Sequence, residues 1–189
     1  MTFQEMRLDF ITRRKGSMAL PMTGIIAYSA AALLSLVVDP RWHNLVLTLC
    51  FWSIMPIGAV MMKIRGEELG SPVENPLFGL AAKARVMALA TWAIHIMVWI
   101  YAPELFPVSV GIGFALHWVV FSWTVDHPVG FIHLAMRIIF VIAAWHLVPG
   151  NRMGAVAAGI ALAYAISVVQ LSRIDWRTRL ANFPATAGG

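Results

Sequence analysis

An arginine in the middle of an apolar stretch is the residue of this chain with the most chemistry to offer. Arg137 lies within VGFIHLAMRIIFVIAAWHL, residues 129–147, roughly nine residues or about 13 Å from the nearer polar end at 1.5 Å per helical residue. A charge at that depth in a bilayer is costly and marks a pairing partner, a bound ligand or a solute path. His133 precedes it by one turn on the same face, and Asp126 and His127 stand at the mouth of the segment. His117 and His95, in two other apolar segments, fall at depths of about 12 and 16 Å on the same rise, and Tyr28 lies at a similar level. If these side chains point inward, Tyr28, His95, His117, His133 and Arg137 line one polar cavity with Asp126 at its entrance. Arg137 then supplies the counter-charge for a small anionic solute or a lipid headgroup, and His117 and His133 supply proton-sensitive partners.

Two other readings compete. The same groups serve as internal braces if they satisfy carbonyls and hydroxyls between helices, and the chain is then a structural or accessory membrane subunit. As a membrane-embedded enzyme acting on a lipid or isoprenoid substrate, the chain would use His117 or His133 as general base and Glu74 as acid; no catalytic residue is otherwise identifiable. A metal is not expected, because no His-x-x-x-His or His-Glu-x-x-His spacing occurs, the histidines lie on separate segments and Arg137 repels cations. No cofactor motif is present. Cys50 sits between Leu49 and Phe51 with no basic neighbour, which suits packing better than nucleophilic chemistry. Outside the apolar segments, Glu74 and Asn75 are the best-placed polar pair: Pro76-Leu77-Phe78-Gly79 returns the chain to the membrane, and Asn75 is positioned to cap a helix that has Pro76 at its first position.

The elements that hold these residues are all helical. The chain is 60% apolar and only 12% charged, far from the roughly 25% charged content of a soluble domain. Apolar segments near 18–38, 44–62, 84–102, 106–124, 129–147 and 153–172 each suit a membrane crossing. The expected fold is therefore an all-α, polytopic integral membrane protein, a six-helix transmembrane bundle forming a single domain over 1–189. Residues 2–15 set Phe3, Met6 and Phe10 against Glu5, Arg7, Asp9, Arg13 and Arg14, as in an amphipathic helix on the bilayer surface. No signal-peptide cleavage is expected, since the basic cluster precedes a full-length span.

With six spans, Arg7, Arg13, Arg14, Lys15, Lys63, Arg65, Lys83, Arg85, Arg173, Arg177 and Arg179 share one side, and only Arg41 and Arg152 take the other. The positive-inside rule then puts both termini and the long 63–83 loop in the cytoplasm, at the bacterial inner membrane. The net charge of +5 is explained by this dispersal at segment ends, so nucleic acid is not an expected partner; membrane lipids are. Small residues repeat every four positions at Ala27, Ala31 and Ser35 in span one, and at Ala155, Gly159, Ala163 and Ser167 in span six. Such faces let helices approach closely, within one chain or across a homodimer.

Several short motifs, in order, resemble a bacterial family of small multi-span membrane proteins known only as a domain of unknown function. They are the basic segment before Gly16, Pro56-Ile57-Gly58, ENPLFGLA at 74–81, Phe106-Pro107, and Gly111 with Gly113. The resemblance implies the same architecture and no established activity. Members of that family carry an Arg-Tyr pair where His117-Trp118 stands here, which replaces a permanent cation by a titratable residue.

Overall fold

A computed structural model describes residues 1–68, 74–176 and 178. Nine α-helices account for it, with no strand among the described residues: α1 (Phe3–Arg13), α2 (Ala19–Leu34), α3 (His43–Arg65), α4 (Pro76–Ala90), α5 (Trp92–Tyr101), α6 (Phe106–Gly113), α7 (His117–Val125), α8 (Val129–Leu147) and α9 (Arg152–Ser172). Three short 3₁₀ turns, each opened by a proline at Pro40, Pro103 and Pro149, lead into α3, α6 and α9. Counting those turns, five stretches are long and apolar enough to cross a membrane: Pro40–Arg65, Pro76–Tyr101, Pro103–Val125, Val129–Leu147 and Pro149–Ser172. Their outward faces carry exposed Ile64, Val86, Met87, Ile94 and Ile139, a surface that water would not tolerate over such an extent. This is the make-up of a membrane protein. The apolar α2 is shorter, at 16 residues.

Helix ends follow local chemistry. α3 runs on through Lys63 and Arg65 until Gly66 turns left-handed at φ 65°, a conformation glycine adopts without a Cβ clash. α4 begins at Pro76 because the Asn75 side chain accepts a hydrogen bond from the Leu77 N–H at 3.1 Å. The connection therefore spans 66–75 instead of the 63–83 expected, and the helix expected from residue 84 starts eight residues earlier. That difference carries Lys83 and Arg85 from the edge of a loop well into a helix. Residues 69–73, Pro72 among them, lie outside the described residues, as do Arg177 and Arg179 of the charge count.

The bundle core runs through α2 against α9 and α3, and α8 against α9 and α7. α2 packs on α9 with Ala27, Ala31 and Ser35 of its small-residue face buried, whereas on the small-residue face of α9 Gly159 lies against Phe140 and Ser167 bonds His133, both of α8. A Cβ on Gly24 would come within 2.8 Å of the Tyr164 ring. At one end of the bundle lie α1, residues 66–68 and 74–75, and the turn after α7; α1 packs here on α4 and α7. Arg7 Nη2 donates to the Trp123 carbonyl at 2.8 Å, and Asn75 Nδ2 donates to the Met6 carbonyl at 2.7 Å and to Asp9 at 2.8 Å. Phe10 meets Phe78 edge-on at 4.8 Å. On α1, Phe10 and Ile11 are buried against protein, while Phe3 and Leu8 remain exposed.

Candidate functional site

Arg137 is fully buried on α8. Its Nε donates to the Gly111 carbonyl at 2.6 Å and its Nη2 to the Tyr28 hydroxyl at 3.3 Å. The guanidinium carbon lies 5.3 Å from the Tyr28 ring centre and 5.1 Å from that of Tyr164, a cation–π arrangement. The Gly111 carbonyl is free to accept because the helix is interrupted between α6 and α7: the Ala115 N–H, which in a continuous helix would bond Gly111, bonds Ile112 instead at 2.9 Å. Gly111 also lets α6 approach α8, since a Cβ there would stand 2.9 Å from Val141. Among the described residues, Arg137 is absent from the walls of the cavities lined by Arg14 and Arg85, by Phe51 and Val86, and by Arg41 and Trp145.

The histidines take three different places. His133, fully buried, bridges α8 to α9 through Nδ1 and Ser167 Oγ at 2.8 Å. Ser167 spends its own proton on the Ala163 carbonyl at 2.9 Å, so the bridging proton sits on His133 Nδ1 and Nε2 is left as an acceptor. The ring stacks on Trp118 at 3.9 Å. His95 is 2% exposed and held on both nitrogens, by Thr91 Oγ1 at 2.9 Å and Ser109 Oγ at 3.2 Å. Those contacts tie α5 to α6 and span the break after α4. His117, at the start of α7, is the histidine that reaches a cavity wall near Arg137. Of the group expected to converge, Tyr28 and Arg137 touch, His133 lies one turn along, and His95 stands apart with its own partners.

The remaining expected residues belong to the end of the bundle where α1 packs. Asn75 is 1% exposed and fully engaged as cap and tether, whereas Glu74 is exposed. Asp126 lies 3.4 Å from Arg7 Nη1 and so anchors α1 beneath α7. Asp9 is held below its ordinary value: burial works to raise it, but hydrogen bonds from Asn75 and Arg13 prevail.

Beside these anchors two cavities meet. One, of about 90 Å³, is walled by Arg14, Glu67, Arg85, His117 and Trp118. The second, of about 330 Å³, shares Leu20, Pro21, Arg85, His117 and Trp118 with it and continues between Phe51, Ile54 and Met55 of α3 and Val86 and Leu89 of α4. Packing at this seam is sparse, because α4 leans on α7 and α1 while α3 leans on α2. The cations of the first cavity are striking only in what they lack: among the described residues, neither Arg14 nor Arg85 forms an ion pair. Arg14 is 7% exposed and touches the Met62 sulfur at 3.9 Å and the Phe78 ring at 5.2 Å. Burial, and after it the neighbouring Arg85 charge, lower its affinity for its proton. The Glu67 and Glu68 charges act in the opposite sense on Arg14, but neither carboxylate is in ion-pair contact with it: Glu67, buried, accepts from Arg65 Nε at 2.7 Å and from the Ala19 N–H at 3.1 Å. Arg14, Arg85 and His117 thus stand on the wall of a largely apolar chamber that adjoins a second apolar one. That arrangement can hold an anion joined to a hydrocarbon.

A family described as being of unknown function, DUF7010, matches residues 3–173. The chain belongs to that family. No curated protein and no solved structure matches it.

The motifs by which the chain resembles DUF7010 have clear structural roles. Asn75 of ENPLFGLA caps α4 and tethers α1. Gly111 gives Arg137 its carbonyl, and a Cβ on Gly113 would stand 2.5 Å from His95 Cε1. Gly58 lies under Leu20, 2.6 Å from where its Cβ would be. Arg14 and Arg85 were counted in the sequence only as topology signals. The cue that separates Arg85 from them is its place beyond a strong helix start at Asn75-Pro76, roughly 14 Å along α4.

Proposed function

We propose that this DUF7010 protein is a six-span bacterial inner-membrane protein, with both termini and the 66–75 connection cytoplasmic, that binds the headgroup of an anionic lipid between α1, α4 and α7. α2 with the turns that follow it is the remaining span, and the positive residues gathered at the α1 end of the bundle favour that end as cytoplasmic. The observation that carries the binding reading is the pair of guanidiniums, Arg14 and Arg85, without carboxylate partners on one cavity wall. An unmatched cation in a low-dielectric chamber is stabilised most by an anion that enters with it. The adjoining apolar seam between α3 and α4 favours a lipid over a free solute.

Native mass spectrometry of the purified full chain tests the reading. Phosphatidylglycerol should be retained over phosphatidylcholine, and the double substitution Arg14→Gln, Arg85→Gln should abolish that preference while leaving the melting temperature measurable. Equal retention of the two lipids by the unsubstituted protein would refute it. A reporter active only in the cytoplasm, fused at the C-terminus, tests the sidedness separately.

A further inference from the structure

The number of unmatched charges constrains the headgroup. Arg14 and Arg85 contribute two guanidiniums to one chamber, and the Glu67 carboxylate there spends its contacts on Arg65 and the Ala19 N–H and makes none with either arginine. A phosphodiester brings one negative charge and two unesterified oxygens; it can pair with one guanidinium and leaves the other facing like charge. A phosphomonoester approaches two negative charges around and above neutrality and offers three terminal oxygens. Guanidiniums bind such oxygens in a planar, bidentate fork, so two arginines occupy most of a monoester's acceptor positions. His117 stands on the wall of both cavities beside the two arginines.

Resting on the anionic-lipid reading above, we infer that the ligand is a lipid phosphomonoester, its phosphate held by Arg14, Arg85 and His117 and its hydrocarbon lying in the seam between α3 and α4. The seam decides for a lipid over a free phosphate: Phe51, Ile54, Met55, Val86 and Leu89 wall a space of about 330 Å³ that a phosphate alone would leave unused.

The test uses the full chain in detergent at pH 8, with dioleoyl phosphatidic acid, dioleoyl phosphatidylglycerol and dioleoyl phosphatidylcholine as probes of equal chain length. Phosphatidic acid should bind about tenfold more tightly than phosphatidylglycerol, the scale of one added charge-assisted contact. Arg85→Gln and Arg14→Gln should each bring that ratio close to one, and Arg85→Lys should restore part of it; a ratio is unaffected by any misfolded fraction. Equal binding of phosphatidic acid and phosphatidylglycerol, both above phosphatidylcholine, would overturn the monoester inference and leave the anionic-lipid reading standing. No preference over phosphatidylcholine would remove both. A phosphatidic acid preference untouched by either arginine substitution would overturn the site. Displacement by millimolar inorganic phosphate alone would overturn the role of the seam.

Discussion

Gly130 marks the closest approach between α7, which carries His117 and Trp118, and α8, which carries His133 and Arg137. Its N–H and that of Phe131 both donate to Ser122 Oγ, at 2.8 and 3.0 Å. A Cβ added at Gly130 would lie far inside van der Waals contact with the Trp118 carbonyl oxygen, and would stand 2.7 Å from Ser122 Oγ. The obstacle is backbone, so no rotamer change relieves it and the two helices must part. Overpacking of this kind costs about 1–3 kcal/mol, and weakening the two Ser122 bonds adds about 1 kcal/mol each. The helix-forming gain of alanine over glycine returns only about 1 kcal/mol. Gly130→Ala should therefore destabilise by about 2–4 kcal/mol. At about 2–4 °C per kcal/mol for a chain of this size, tryptophan-fluorescence melting in detergent should fall by about 5–15 °C. Gly79→Ala is the matched control: it is also helical, nothing lies within 4 Å of its added Cβ, and it should melt at or slightly above the unsubstituted protein. Melting of Gly130→Ala together with that control would refute the close α7–α8 contact on which the placement of His117 rests.

Asn75→Ala removes the cap of α4 and the tether to Met6 and Asp9; a loss of about 1–2 kcal/mol is expected, with limited proteolysis showing earlier cleavage at α1 than in the unsubstituted protein. Because Asp9 is held below its ordinary 3.8, its contribution is present above that value and is lost as pH falls through the lower folded-state value. Melts taken from pH 6 to pH 3 should show this acid loss, and Asp9→Asn should flatten it. Tyr28→Phe deprives a buried cation of an acceptor and should cost about 1–3 kcal/mol by chemical denaturation. Combined with Arg137→Met, the same Tyr28→Phe change should cost far less than it does alone, and additive effects in that cycle would exclude the direct Tyr28–Arg137 bond.

Hydropathy made the helical, membrane-spanning character legible, and the local signals at Asn75-Pro76 were legible as a cap. The arrangement of the polar groups was not. Depth along a helix placed Tyr28, His95, His117, His133 and Arg137 at similar levels, but depth carries no information about rotation. His95 turns to Thr91 at one break and to Ser109, whose hydroxyls themselves donate to the Ala88 and Phe106 carbonyls, and Arg137 turns to Gly111 because the break before α7 frees a carbonyl. Neither break has a proline to announce it: 88–93 and 112–117 are apolar runs with a threonine and small residues. The misplacement of Arg85 has a different origin. Two charged residues at 83 and 85 depress local hydropathy, so an apolar window places the span after them, although the helix had already begun at Pro76.

The polar contacts divide the bundle unevenly, and the division bears on how a lipid would enter. Arg137 joins α8 to α6 and α2, His133 joins α8 to α9, His95 joins α5 to α6, and Ser122 joins α7 to α8. Each is buried in a region that cannot supply replacement hydrogen bonds, so separating those helices strands a donor or an acceptor. Among the described residues no such bond crosses from α3 to α4. Parting them exposes only apolar side chains, and in a bilayer that exposure is to hydrocarbon and costs little. The seam beside Arg85 is thus the direction in which the fold yields most readily. On the proposed reading, a lipid arriving from the side meets no polar barrier until its headgroup reaches Arg85, and its chain replaces the apolar contacts it displaces.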